Sequence, residues 1–232
     1  MNKLLLLFIL SSAASWGQND FNKLDEKGLK NGIWKGFFEE SKRVRYQGTF
    51  DHGKEIGTFN YYDDTKEASI IGIRVFDIKD NSVYTTFFDQ KKNIVSEGKS
   101  INKLKEGIWK YYHEAAKEIM TLENYKQGKL NGVRTVFYKN GTVADEINYK
   151  NGIKEGIYKK FTEKNVLLET VNYKNNEYDG LAIYKDPNNN IVAQGIYKNG
   201  RKRGIWKFFK DGKFDSQTNY NFQGKKFAKS KK

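Results

Sequence analysis

The 232-residue sequence predicts an all-β chain, a single-layer antiparallel meander of stacked β-hairpins drawn out into an elongated ribbon. Three observations predict it. A glycine-led segment recurs every 24 to 25 residues along almost the whole chain. Turn dipeptides such as Asn140-Gly141 separate short β-prone runs. The composition is rich in Tyr (15), Phe (16) and Gly (21), with one Pro and no Cys. Short runs joined by Asn-Gly or Asp-Gly read as hairpins, and a fixed period of this length marks a repeat array. The missing cysteine excludes a disulfide scaffold, a thiolate zinc site, an iron–sulfur cluster and a cysteine nucleophile.

The first element is an address. Met1-Asn2-Lys3 supplies one positive charge, Leu4 to Leu10 is an unbroken apolar run of seven, and Ser11 to Gly17 is mostly small. This pattern is a secretory signal peptide over residues 1–17, cut before Gln18, with a cut after Ala14 or Ser15 as the competing choice. Seven apolar residues fall far short of the roughly 20 that span a bilayer, and no later segment comes closer. The mature chain is therefore expected outside the cytoplasm, in the periplasm, at the cell surface or in the medium, with no transmembrane segment. Losing Lys3 with the leader lowers the formal charge from +14 to +13, so the exported chain stays strongly basic. Residues 18–27 form a lead-in.

The repeats fill residues 28–224. Gly-Ile-Trp-Lys opens copies at Gly32, Gly107 and Gly204, and related openings stand at Gly57, Gly132, Gly156 and Gly180. A degenerate copy at Ser82-Val-Tyr-Thr-Thr-Phe-Phe restores the period and brings the count to eight. Most openings follow a second glycine four residues earlier, as in Tyr149-Lys-Asn-Gly-Ile-Lys-Glu-Gly156. Such pairs are backbone positions that need positive φ or a close strand approach, and Asn176 replaces the first glycine before Gly180 because Asn tolerates the left-handed region. Each copy reads as strand, turn, strand, turn. The polar tail, 225–232, ends the array.

Counting from each opening, the next position is aliphatic or β-branched (Ile33, Thr58, Val83, Ile108, Val133, Ile157, Leu181, Ile205) and the fifth is aromatic in seven of eight copies, Lys185 being the exception. Odd positions share one strand face, and this face is expected to be the structural one. The second position, on the opposite face, carries Trp34, Phe59, Tyr84, Trp109, Arg134, Tyr158, Ala182 and Trp206.

Tyr-x-Asn-Gly-x-x-x-Gly followed one residue later by Trp, Tyr or Phe, repeated over roughly residues 25 to 224, resembles the MORN repeat, and more closely its bacterial variant form. The resemblance implies hairpins stacked into one long twisted sheet. It also implies binding or scaffolding rather than catalysis, with protein partners and acidic phospholipid surfaces as the family's two proposed targets. Many bacterial variants carry an antitoxin-like label. The copy at Ser82 lacks both glycines, and Ala68 to Asn81 departs from the pattern.

No cofactor, metal or catalytic constellation is expected. His52 lies in a turn and His113 just past a strand, neither with a partner at ligand spacing. The acidic pairs Asp25-Glu26, Glu39-Glu40 and Asp63-Asp64 point to opposite faces or into solvated loops, and no phosphate loop, nucleophile elbow or His-Glu-x-x-His helix occurs. Glu114 to Met120 reads as a longer turn within a copy.

Binding remains. A platform of Trp34, Phe59, Tyr84, Trp109, Arg134, Tyr158 and Trp206 suits an extended protein partner, since aromatics and Arg dominate interface energetics. The bland alternative is that these rings only pack on neighbouring repeats. Lysines at Lys30, Lys54, Lys105, Lys129 and Lys154, with Arg201-Lys202-Arg203, would line one edge for anionic envelope polymer or lipid, or simply keep that edge from pairing. Gly-Trp and Tyr-Tyr segments also resemble cell-wall-binding hairpin repeats that take choline or sugars. Export argues against nucleic acid. The expected function is an exported, noncatalytic module that binds or scaffolds a protein partner at the cell envelope.

Overall fold

The structure, a computed structural model, describes residues 20–221. The leader and the basic tail lie outside the described residues. The first copies supply β1 (Lys23–Leu24), β2 (Lys30–Phe37), β3 (Val44–Asp51), β4 (Lys54–Tyr62), β5 (Ile70–Asp77) and β6 (Ser82–Phe88). The middle holds β7 (Ile94–Ile101), β8 (Leu104–Tyr112), β9 (Ile119–Lys126), β10 (Lys129–Leu130), β11 (Gly132–Phe137) and β12 (Val143–Lys150). The last are β13 (Ile153–Phe161), β14 (Leu167–Lys174), β15 (Glu177–Lys185), β16 (Ile191–Lys198), β17 (Arg201–Lys210) and β18 (Lys213–Asn219). Each strand pairs antiparallel with the next, with β10 and β11 forming one interrupted strand beside β9, so the sheet is an open meander in chain order. At about 4.8 Å per strand the ribbon runs for roughly 75 Å.

Two turn chemistries alternate. Between copies the strands are joined by two residues that both sit at positive φ, for example Asn151 (53°) and Gly152 (85°) between the paired Lys150 and Ile153, except between β5 and β6, where four residues intervene and only Asn81 is at positive φ. That is the type I′ geometry whose twist matches the strands. Asn176 at 68° takes the same role as the glycines. Within a copy the loop is longer, save for the two-residue Asp211-Gly212 turn of the last: Tyr138 N–H donates to Thr142 O, Gly141 N–H donates to Tyr138 O, and Gly141 adopts φ 82°. Residues 113–118 form such a loop, as the sequence suggested for Glu114 to Met120.

The opening glycines sit at bulges. Gly204 (φ 63°) lies where β16 and β17 slip register between Gln194 and Ile196, and Gly57 and Gly107 occupy equivalent breaks. An extra residue there raises the local twist, and only a residue tolerant of positive φ fits without strain. The degenerate copy shows the converse. Lacking the glycine, β5 and β6 pair without a break from Gly72↔Phe87 to Asp77↔Ser82. The second slip of the copy, which falls at Tyr61/Tyr62 and Tyr111/Tyr112 in its neighbours, comes at Phe87/Phe88. By register the third copy therefore opens at Val83 rather than Ser82, and Thr85, not Tyr84, holds its second position.

The packed face is the reverse of the expectation. At the second position Phe59, Ala182 and Trp206 are 0% exposed and Trp109 is 4% exposed, whereas Ile108, Ile157, Leu181 and Ile205 at the first position are all more than half exposed. A single layer can bury a side chain only by laying it flat along the sheet under its neighbours. Broad rings do this, and short branched chains standing upright do not. The core is thus a row of rings on one face, with Val171, Ala182 and Trp206 at the centre of a buried cluster and Tyr158, Tyr173, Tyr184 and Tyr197 around them.

Candidate functional site

The rings of Phe59, Trp109 and Trp206 each lie over a glycine eleven residues earlier on the preceding strand. A Cβ on Gly48, Gly98 or Gly195 would come within 2.3 to 2.6 Å of the rings of Phe59, Trp109 and Trp206 respectively. Where the earlier residue has bulk, the later one changes: Ile147 pairs with Tyr158, and Val171 with Ala182. Val171 and Ala182 fill the space from the other strand, whereas above Ile147 the Tyr158 ring is left half-buried. The elevenfold spacing of these small residues was present in the sequence. Its meaning required knowing which strand each ring crosses.

The indole N–H groups close the arrangement. Trp109 Nε1 donates to Lys99 O at 2.8 Å, Trp206 Nε1 to Ile196 O at 3.1 Å, and Trp34 Nε1 to Lys23 O at 3.1 Å. These carbonyls belong to the neighbouring strand, and for Trp109 and Trp206 they stand beside its bulge, so the ring satisfies the backbone it covers. Above the rings sit lysines. Lys30 Nζ is 4.6 Å from the Trp34 ring, Lys105 4.5 Å from Trp109, Lys154 5.0 Å from Tyr173 and Lys202 4.2 Å from Trp206. Four cations expected to line an anion-binding edge are therefore seated on aromatic faces, within cation–π range.

The seven residues expected to form a platform separate accordingly. Phe59, Trp109 and Trp206 are buried, and Trp34 is half-buried with its ring edge-on to Phe50 at 6.0 Å. Tyr158 is half-buried, edge-on to Tyr173 at 6.2 Å, and burial pushes its hydroxyl up to about 12. Arg134 takes the ring's place in its copy, its Nε donating to Glu123 Oε1 at 3.3 Å and its Nη1 lying 3.6 Å from Asp145. Burial raises the Asp145 carboxyl from its ordinary value, with Arg134 opposing the shift. Tyr84 stands on the other face and is 42% exposed. Six of the seven lie in one packed row, and Tyr84 is outside it.

The opposite face carries the exposed apolar groups. Ile33, Ile108, Val133, Ile157, Leu181 and Ile205 hold the same position in six of the eight copies, with Thr58 and Tyr84 there in the second and third, and Ile196 stands directly across from Leu181. Two residues along the same strands, and so on the same face, come Lys35, Lys110, Lys159 and Lys207. Lys110 pairs with Glu97 at 3.1 Å, and Tyr112 also donates to Glu97, which holds that carboxyl below its ordinary value despite burial. Lys159 and Lys207 are exposed. Sequence reasoning assigned this row to the interior because it is the more uniformly apolar of the two.

The histidines have structural partners. His52 Nδ1 lies 2.6 Å from Asp25 Oδ2, a contact across 27 residues that sequence spacing gave no sign of, and His113 Nε2 is 3.1 Å from Phe137 O. Among the described residues no cluster of three or more His, Asp or Glu could hold a metal ion, and no helix is long and apolar enough to cross a membrane.

The family model for the MORN repeat variant matches residues 130–151 and 154–175. Each matched segment runs from two residues before an opening glycine to the first residue of the next type I′ turn. Two adjacent segments of the chain thus match the MORN-variant repeat. No curated protein matches it. The left-handed opening glycine recurs in the copies around Gly32, Gly57, Gly107, Gly180 and Gly204, with a register break beside it at Gly57, Gly107, Gly180 and Gly204. MORN repeats are in general binding modules for proteins or membranes and are generally noncatalytic.

Proposed function

We propose that the chain is an exported, noncatalytic scaffold that binds a protein partner at the cell envelope through its aliphatic face. One observation carries this reading: an exposed Ile, Val or Leu stands at the first position of six of the eight copies, along a face that the described residues leave uncovered. Apolar groups spaced along a sheet and rimmed by polar ones, here Asn124, Asn148 and Asn172 across from Ile108, Val133 and Ile157, mark an interaction site. The occupant it fits is a protein surface with apolar side chains flanked by carboxylates. Lys159 and Lys207 flank the row, and the whole chain carries a formal charge of +14. Electrostatic complementarity would set register and encounter rate while the apolar row supplies affinity. Export rests on the leader pattern of residues 1–17.

The test is cosedimentation of the chain beginning at Gln18 with native envelope, protease-treated envelope and protein-free anionic liposomes, each in low and high salt. Retention on native envelope alone, resistant to moderate salt and lost in an Ile157→Asp/Leu181→Asp variant, is the expected result. Retention on liposomes that vanishes in high salt, or full retention by the double variant, overturns it.

A further inference from the structure

At the third copy the ring row is interrupted by a small polar residue, as it is by Arg134 in the fifth copy and by Ala182 in the seventh. Thr85 stands where other copies place Phe59, Trp109 or Trp206, and its partner eleven residues earlier is Arg74 instead of a glycine. The Arg74 guanidinium leans back toward β4, with Nη1 3.4 Å from the Tyr61 hydroxyl and Cζ 4.9 Å from the Phe76 ring centre. What remains is a trough of about 590 Å³. Its floor includes Gly72, Thr85 and Ser96, all buried, and it is bounded by Tyr61 on one side and Trp109 on the other. Arg74, Lys103 and Lys105 line it, and no carboxylate does.

We infer that this trough is a binding site for a planar aromatic ring carrying an anionic group. The protein shows what such a slot holds. In its intact copies a ring lies flat over a small residue beneath a lysine, as Trp109 does between Gly98 and Lys105 and Trp206 between Gly195 and Lys202. At the third copy Arg74 replaces the floor glycine, Gly72, Thr85 and Ser96 supply a small floor beside it, and Lys103 and the Lys105 seated on Trp109 border a slot that no ring of the described residues fills. A ligand's ring completes the row between Tyr61 and Trp109, where stacked and edge-on contacts add to the area they bury. Its anion meets Arg74, whose nearest carboxylate, Glu55, is 4.0 Å away, beyond hydrogen-bond range. The trough lies on the ring face and does not depend on the partner proposed for the aliphatic face. The ring and charge can belong to a free aromatic acid or to an aromatic side chain beside acidic residues in a polypeptide.

Two probes distinguish those sources: naphthalene-2-sulfonate, and the blocked tripeptide acetyl-Asp-Trp-Asp-amide, each titrated calorimetrically into the mature chain and followed by the indole N–H resonances. Binding of either probe that shifts the Trp109 resonance and leaves Trp206 unmoved supports the site, and the tighter probe names the source. The uncharged naphthalene-2-methanol should bind at least about tenfold more weakly, and Arg74→Gln should weaken the anion by a similar factor, as expected for one charge-assisted hydrogen bond. Arg74→Gly with Thr85→Trp copies the Gly98/Trp109 pair, fills the slot and should abolish binding. Equal binding of the neutral and anionic rings, undiminished binding by Arg74→Gln or by a folded slot-filled variant, or no Trp109 shift up to the probes' solubility overturns the inference.

Discussion

Gly195→Ala reverses the usual sign of a glycine replacement. Gly195 has ordinary extended backbone, where adding a Cβ would on chain entropy alone stabilise by about 0.4–1 kcal/mol. The new Cβ, however, would lie 2.3, 2.4 and 2.5 Å from three atoms of the Trp206 ring, against the roughly 3.5–4.0 Å that carbon atoms accept. The ring must retreat by about 1 Å or more, and it has little room. It is fully buried, its N–H is tied to Ile196 O, and Tyr197 stands edge-on at 5.0 Å. Overpacking of this kind costs about 1–3 kcal/mol, so the net effect should be destabilising. Urea unfolding followed by far-UV circular dichroism and Trp fluorescence gives the difference. In a double-mutant cycle Gly195→Ala should cost almost nothing once Trp206→Ala has emptied the space, a coupling of about 1–3 kcal/mol. An unchanged or raised urea midpoint for Gly195→Ala, or additive effects in the cycle, would refute the claim that glycine is there to admit the ring.

Gly152→Ala tests the turn alone: its Cβ would meet nothing within 4 Å, yet φ is 85°, so a loss of about 1–2 kcal/mol is expected in urea unfolding from the left-handed backbone by itself. His52 should titrate above its ordinary 6.5 because its ring hydrogen-bonds Asp25. The contribution of this pair to the N-terminal turns is complete below about 6.5 and lost as pH rises through the raised value; on the acid side it is lost as pH falls through the lowered value of Asp25. NMR titration of the His52 ring checks the direction, and Asp25→Asn should bring the midpoint back toward 6.5. Mass spectrometry of the protein recovered from the envelope or medium should give an N-terminus at Gln18; recovery of the chain with Met1 intact would remove the case for export.

The sheet class, the period and both turn types were legible because they rest on local chemistry. Asn151-Gly152 and the glycine at each opening state their own backbone requirement, whatever lies next to them. The assignment of faces was not legible. Uniformity of Ile33, Ile108, Ile157 and Ile205 looked like a core signature, and in a two-layer sandwich it would be one. In a single layer the deciding quantity is lateral cover, which belongs to Gly98 with Trp109 and to Gly195 with Trp206 as pairs on different strands. The third copy was misread by one residue because its start was placed by period, whereas its register depends on a bulge that its missing glycine removes. The His52–Asp25 contact joins two loops 27 residues apart, and neither residue's local sequence encodes it.

The same missing glycine has an energetic consequence. In an array where appreciable contacts run only between ladder neighbours, stability is a sum of copy and interface terms, and the weakest interface opens first. The copies around Trp34 and Phe59 share a chain of ring contacts from Trp34 through Phe50 to Phe59 and Phe76, and another such chain runs from Tyr158 to Tyr220. Between them β6 brings only Thr85 to the ring row, together with a Phe87 that is 45% exposed. Amide hydrogen exchange should therefore be faster in β6 and β7 than in β14 to β17, although β5 and β6 have an unbroken ladder of hydrogen bonds. Occupancy of the trough by an aromatic anion should slow exchange there selectively, since a ligand stabilises the segment it bridges. Uniform exchange along the ribbon would mean that backbone pairing, rather than the ring row, sets local stability.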